Sequence, residues 1–261
     1  MALLRVATWN VNSLKARLPH VLRWLQENRP HILALQETKT PDEQFPAAEL
    51  KEAGYEVVFS GQKAYNGMAT LSRQAGELLA TALPDHNDPQ KRLLSVRIGR
   101  FHVVNVYVPN GAAVGSDKYV YKLDWLKRLK EYIQASLERG EPTLLLGDFN
   151  IAPEDRDVHD PALWEGQVLV SEPERERFRT LLALGLCDCF RLFEQPAEVY
   201  TWWDYRAGAF RRNMGLRIDL MLVDAKTATH CTNCRVDVAP RRWERPSDHV
   251  PVLAEFDLEL F

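Results

Sequence analysis

The sequence predicts an α/β protein in which two packed β-sheets carry helices on their outer faces. Three observations lead there. A chain of 261 residues that is 46% apolar can bury a large core. Strand-like runs outnumber helix-like ones and often follow one another across short connections. Few strands are separated by a helix, so the βαβ crossovers that build a single doubly wound sheet are scarce. No Gly/Ser-rich or Pro-rich linker, repeat or low-complexity tract divides the chain, and residues 1–261 read as one domain.

The elements follow in order. "LLRVATWN" (Leu3 to Asn10) is rich in apolar and β-branched residues and reads as a strand. A helix opens at Pro19, where a missing amide costs nothing, and carries Val21, Leu22 and Leu25. "HILALQE" is a buried strand ending at Glu37. "YEVVFS", "GMATLS", "RLLSVRI" and "FHVVNVYVPN" are successive strands, antiparallel because their connections are short. Asp117 to Arg139 forms an amphipathic helix with Leu126, Leu129, Ile133 and Leu137 on one stripe and Gly140 as its stop. "TLLLGDFN" is a buried strand that breaks at Gly147, and a second helix covers roughly Pro173 to Leu184, stopped by Gly185. "VYTWW", "LRIDLMLV", "CRVDV" and "VPVLAEF" supply the last strands.

Composition narrows the compartment and the partners. The N-terminus "MALLRVATWNVNS" lacks the basic and apolar segments of a signal peptide, and no apolar run approaches the ~18 residues of a membrane span. The expectation is a soluble, cytoplasmic protein that works as a monomer and does not engage membranes. Cys187 and Cys189 flank Asp188, while Cys231 and Cys234 form a C-x-x-C beside His230. These spacings match zinc sites poorly and read as reduced, mostly buried thiols. Net charge is −3, yet Tyr200 to Arg245 holds nine Lys/Arg and five Asp/Glu, a local +4 that leaves −7 elsewhere. Trp202, Trp203, Tyr205, Phe210 and Trp243 interleave with that basic stretch. It suits a polyanion that also offers flat bases or sugars, with a solvated basic face as the alternative.

Polar groups collect at strand ends. Asn10 and Asn12, Glu37, Asp148 and Asn150, and the pair Asp248–His249 each close or open a strand, and Asp219 lies among apolar neighbours in "LRIDLML". A buried carboxylate without a partner costs several kcal/mol, so Asp219 requires one. Sheets gather strand ends along an edge, where these groups can converge. Carboxylate and carboxamide oxygens suit a hard divalent ion such as Mg²⁺ or Mn²⁺. Beside a basic aromatic surface, that chemistry points to cleavage of phosphate esters. The chain has no Walker-type loop, and "GDFNIAP" places no Ser or Cys beside a base, which disfavours nucleotide-driven transfer and acyl transfer.

Six ordered blocks carry a more specific signal: "ATWNVNS", "LALQETK", "NVYVPNG", "LLLGDFNIAP", "GLRIDLML" and "RPSDHVPV". Together they resemble the exonuclease III family of abasic-site endonucleases, in its bacterial branch, within the endonuclease/exonuclease/phosphatase superfamily. The resemblance implies a four-layer α/β sandwich and metal-dependent cleavage of duplex DNA, at abasic sites or from 3′ ends, leaving 3′-hydroxyls. Carried onto these residues, it implies Glu37 as the central ligand of Mg²⁺ or its substitute Mn²⁺. Asn10, Asp148, Asn150, Asp248 and His249 share the metal's surroundings. Asp148 would align or deprotonate the attacking water, and Asn150 would hold that water or the phosphate. Asp219 would orient His249 toward the scissile phosphate, Tyr107 would stabilise the phosphate or leaving group, and Asn110 would meet a phosphate oxygen. Trp202, Arg206 and Leu216 would contact the DNA, with Trp202 walling a pocket for the base-less sugar. Whether Asp148 or His249 is the base stays open at this level. Asn12 stands where some relatives carry Asp, and Leu216 where animal-type relatives carry Trp. A phosphomonoesterase or lipid phosphatase is the rival within the superfamily, and a catalytically silent DNA-binding module the rival outside it.

Overall fold

Successive residues of each long strand fill two different cores, and this alternation sets the architecture. The computed structural model describes residues 3–84 and 88–259. Its first half contains β1 (Leu3–Asn10), α1 (Leu14–Asn28), β2 (Ile32–Gln36), α2 (Ala47–Glu52), β3 (Glu56–Ser60), β4 (Met68–Ser72), β5 (Glu77–Ala80), β6 (Leu93–Ile98) and β7 (Phe101–Tyr107). The second half contains α3 (Asp117–Glu138), β8 (Thr143–Asp148), α4 (Pro161–Trp164), α5 (Glu172–Leu182), β9 (Leu186–Asp188), β10 (Asp219–Asp224), α6 (Ala225–Ala228), β11 (Cys231–Val236) and β12 (Val252–Asp257).

The strands form two six-stranded mixed sheets, ordered β11-β12-β1-β2-β4-β3 and β5-β6-β7-β8-β10-β9. Val6, Ile32, Ala34, Leu144, Leu146, Met221 and Val223 share the core between the sheets. Their strand neighbours point the other way. Ala7, Trp9, Leu33 and Leu35 pack with Val21, Trp24 and Leu25 of α1 on the first sheet's outer face. Leu145, Leu220 and Leu222 pack with Trp125, Leu129 and Ile133 of α3 and Phe178 of α5 on the second sheet's outer face. The expected four layers are present. No helix among the described residues is long and apolar enough to cross a membrane.

Several local expectations need correction. Helix α1 opens at Leu14 rather than Pro19: the Ser13 side chain accepts from the Ala16 amide, so Pro19 lies inside the helix. The short edge strands β5 and β9 went unread. The run of strands read as one antiparallel series is divided, with β3 and β4 in one sheet and β6 and β7 in the other. "VYTWW" is not a strand. It contributes isolated bridges from Trp202 to Leu216 and to His249. The hydroxyl of Thr201 accepts from the amides of Ile218 and Asp219, each at 3.0 Å, so regular pairing of β10 starts only at Asp219. The four cysteines are free thiols; Cys189 and Cys234 are buried, and Cys187 and Cys231 partly so.

Candidate active site

Parity carries the polar residues to one place. Asn10 continues the inward series of β1, Tyr107 that of β7, Asp148 that of β8, and Asp219 begins that of β10. In register, Asp148 lies between Tyr107 and Asp219 on the neighbouring strands. Glu37 follows β2 with a left-handed φ of 52°, and Asn150 follows β8 with φ 49°. Such conformations disfavour a non-glycine residue and mark turns that re-aim a side chain. The cluster closes the inter-sheet layer at one end.

Hydrogen bonds fix each member. Asn10 Nδ2 donates to Glu37 Oε1 at 2.8 Å and to Asp148 Oδ2 at 2.9 Å. The Asn150 amide donates to Asp148 Oδ1 at 2.9 Å. His249 Nδ1 lies 2.8 Å from Asp219 Oδ2, and its Nε2 lies 3.8 Å from Asp148 Oδ2. Asp219 therefore has the partner its burial demands, and the imidazole is aimed with one nitrogen at each acid. Lys39 Nζ lies 2.8 Å from Glu37 Oε2 and donates to Asn12 Oδ1 at 2.5 Å. Asn12 Nδ2 and Trp202 Nε1 donate to the two oxygens of Asp248, at 2.9 and 3.0 Å.

Comparison with known proteins places this arrangement. Residues 7–249 match the model of the endonuclease/exonuclease/phosphatase family. The chain belongs to that family. Among curated members, exodeoxyribonuclease III of Haemophilus influenzae is 34% identical over 97% of this chain and 100% of its own. Among solved members, a variant of the Neisseria 3′ phosphatase NExo bound to a product DNA hairpin is 44% identical, with TM-score 0.95 over 98% of this chain and 100% of that one. An AP endonuclease from Archaeoglobus fulgidus is 41% identical, with TM-score 0.94 over the same shares. NExo from Neisseria meningitidis, described as a 3′-5′ exonuclease, is 45% identical, with TM-score 0.93 over 98% of this chain and 100% of that one.

Burial and neighbouring charge shift the ionisable groups of this family member. Burial raises the Asp148 pKa, and the neighbouring Asp219 and Glu37 push the same way against His249 and the Asn10 hydrogen bond. Burial alone would lower His249, but the carboxylates of Asp219 and Asp148 overcome it and raise the imidazole well above its usual range. Both groups thus shift upward, Asp148 chiefly through burial and His249 through its neighbouring carboxylates. Burial, with Glu37 and Asp148 nearby, pushes the Tyr107 hydroxyl upward and keeps it a donor. Burial opposes ionisation of Asp248, yet His249, Asn12 and Trp202 together lower its pKa.

The residues expected from the sequence are not all placed alike. Glu37, Asp148 and His249 each present a ligand atom within 4.8 Å of the others. Two carboxylates joined by one amide, with Asp219 Oδ1 buried and without a hydrogen-bond partner among the described residues, leave negative charge in excess. That donor set fits a hard divalent ion. Asn10 turns its amino group to the two acids while its Oδ1 accepts from the Asn12 amide, so as oriented it clamps the acids together. Asn150 Oδ1 accepts from Asn110 Nδ2 at 3.3 Å, which brings exposed Asn110 to the rim. Trp202 is half-buried beside His249. Leu216 requires correction as a DNA contact: it has no exposed surface and packs with Val158, Leu169 and Ile218 behind Trp202. Arg206 is exposed but paired with Asp204 two residues away. Two residues near the cluster were not singled out from sequence: Lys39, in "LQETK", and Thr201, whose hydroxyl holds the start of β10.

Proposed function

We propose that the protein is a divalent-metal-dependent DNA repair nuclease. It hydrolyses the phosphodiester on the 5′ side of an abasic site, leaving a 3′-hydroxyl, and removes nucleotides from duplex DNA in the 3′ to 5′ direction. Mg²⁺ is its ion, with Mn²⁺ as a substitute, and it works as a monomer on DNA in the bacterial cytoplasm, at the nucleoid. The observation that carries this reading is Asp148 held by two amides opposite an Asp219-oriented imidazole. The names of its relatives, which include exodeoxyribonuclease III and an AP endonuclease, support the substrate.

Glu37 and Asp148 would hold the ion, which when bound offsets charge on the phosphate and leaving oxygen. Asp148 lies between the Asn10 and Asn150 donors, which fix the direction of its free lone pairs. It orients a water and takes its proton. His249, oriented by Asp219 through Nδ1, turns its Nε2 toward Asp148 and donates from it to a phosphate oxygen. Tyr107 and Asn110 donate to the remaining phosphate oxygens, and Trp202 walls the sugar. The match to NExo favours a second reading, removal of a 3′-phosphate by the same site.

The test uses purified protein with Mg²⁺ on duplexes carrying an abasic site, a 3′-phosphate nick or a blunt end, with products sized. We expect an incision 5′ to the abasic site and shortening from 3′ ends, both abolished by EDTA and restored by Mg²⁺ or Mn²⁺. Asp148→Asn should lower the rate ~10³-fold or more while leaving abasic DNA binding largely intact. Full activity in EDTA, or phosphate release from an inositol phosphate with no DNA cleavage, would overturn the reading.

A further inference from the structure

Helix α3 carries Leu126, Leu129 and Ile133 on its buried stripe, and the position one turn earlier on that stripe is Lys122. Neither Lys122 nor Glu174, at the start of α5, has any exposed side-chain surface. Lys122 Nζ donates to the carbonyls of Asn150 at 2.6 Å and Asn110 at 3.1 Å, and to Glu174 Oε1. Glu174 also accepts from the amides of Leu169 at 3.1 Å and Ser171 at 3.2 Å, and from the Ser171 hydroxyl. Three N–H donors meet three acceptors, and four donors meet the lone-pair directions of one carboxylate. Burial pulls the Lys122 pKa down, while Glu174 and, more weakly, Asp148 favour its charged form.

A buried ion pair is a poor way to fill a core, because desolvation offsets the Coulombic gain and an apolar pair of equal volume would serve as well. What an apolar pair could not do is bind two backbone carbonyls. Asn150 is the residue whose amide fixes Asp148 Oδ1, and whose side chain joins the Val108 carbonyl and Asn110. Gly111, next to Asn110 in the turn after β7, packs against the same lysine: a Cβ there would come within 3.2 Å of Lys122 Cδ. We propose that Lys122, held by Glu174, is a positioning residue that locks the turns after β7 and β8, keeping Asn110, Asn150 and, through the Asn150 amide, Asp148 in place around the phosphate. The inference rests on the nuclease reading above.

The test compares wild type, Lys122→Met and Lys122→Met/Glu174→Gln in cleavage of an abasic duplex with Mg²⁺, thermal unfolding and hydrogen–deuterium exchange. The single variant leaves a buried carboxylate unpaired and should unfold at lower temperature. The double variant removes both charges and should regain most of that loss. Its kcat should nevertheless stay ~10–100-fold below wild type, with KM within ~3-fold, because the lost term is geometry at the reacting atoms. Amides in 108–113 and 149–152 should exchange faster in the double variant, with β1 and β2 unchanged. Recovery of kcat together with stability would show the pair to be merely structural and overturn the proposal, as would unchanged exchange in those two turns. A wild type that cleaves no DNA would defeat the nuclease reading instead, and the exchange measurement would still decide the role of Lys122.

Discussion

Two clusters of buried and half-buried carboxylates begin two residues apart, one around Arg217 and one around Asp219, and they are built in opposite ways. In the first, Arg217 Nε and Nη1 meet Asp157 Oδ1 at 2.7 Å and Asp188 Oδ2 at 2.8 Å, and Arg191 also reaches Asp157. Two guanidiniums balance two carboxylates. In the second, four carboxylates, Glu37, Asp148, Asp219 and Asp248, have among the described residues two cations at close range, Lys39 and His249, with Lys122 and Arg241 acting from farther away. Arg217, Asp157 and Asp188 are buried, as Asp148 and Asp219 are, so burial alone does not mark a site. The marker is charge left for something else to balance. The first cluster pairs its charges internally; the second, on the proposed reading, is prepared for a cation and a phosphate.

The largest effect that could break this contrast lies in the Asp219–His249 pair. If it acts as one unit, Asp219→Asn and His249→Asn should each slow cleavage ~10³-fold or more, and the double variant should be little worse than the worse single one. Multiplicative losses would place the two residues in separate roles.

The balanced cluster should respond in stability instead. Arg217→Met strands two buried carboxylates and should cost ~3–5 kcal/mol, lowering the unfolding midpoint by roughly 10 °C, while the rate per folded molecule stays near wild type. An unchanged midpoint would remove the structural half of the comparison.

A smaller effect sharpens it through a buried histidine outside both clusters, His102. His102 faces the hydroxyls of Ser95 and Ser136, and burial lowers its pKa to about 4, with Glu141 opposing and Arg139 assisting. Its folded pKa is below the unfolded value, so the unfolded chain binds the extra proton first. Stability from this residue is constant above pH ~6.5 and falls as pH drops toward 4, by about 3 kcal/mol in all. Urea midpoints of wild type and His102→Gln at pH 7 and pH 4 would show it: the variant should lose less on acidification. Equal losses would mean that His102 is not held neutral by the fold.

The sequence made much of this legible. Asn10, Glu37, Asp148, Asn150, Asp219 and His249 stood out because they interrupt apolar runs at strand ends, and sheets bring strand ends together. The period-two alternation that sends Asn10, Tyr107, Asp148 and Asp219 inward is also written there, but which face is inner depends on which sheets pack. Leu216 was misplaced because residue type does not tell a pocket wall from the layer behind it. "VYTWW" has strand composition, yet its neighbours are satisfied by the Thr201 hydroxyl, a long-range contact no local pattern records. Lys122 had a signal, a lysine on the apolar stripe of α3, and Glu174 had one in the Ser171-x-x-Glu174 capping box. Neither reveals that the two meet.

The central claim is that the net negative charge around Asp148 is matched to a divalent cation. Calorimetric titration of Mn²⁺ into wild type, Glu37→Gln and Arg217→Met tests it without reference to cleavage. Binding to wild type, weakened ~10-fold or more by Glu37→Gln and little altered in folded Arg217→Met, is the expected result, since the first variant removes a charge from a candidate ligand and the second leaves Glu37 and Asp148 untouched. Equal binding by wild type and Glu37→Gln, or no binding at millimolar Mn²⁺, would contradict it.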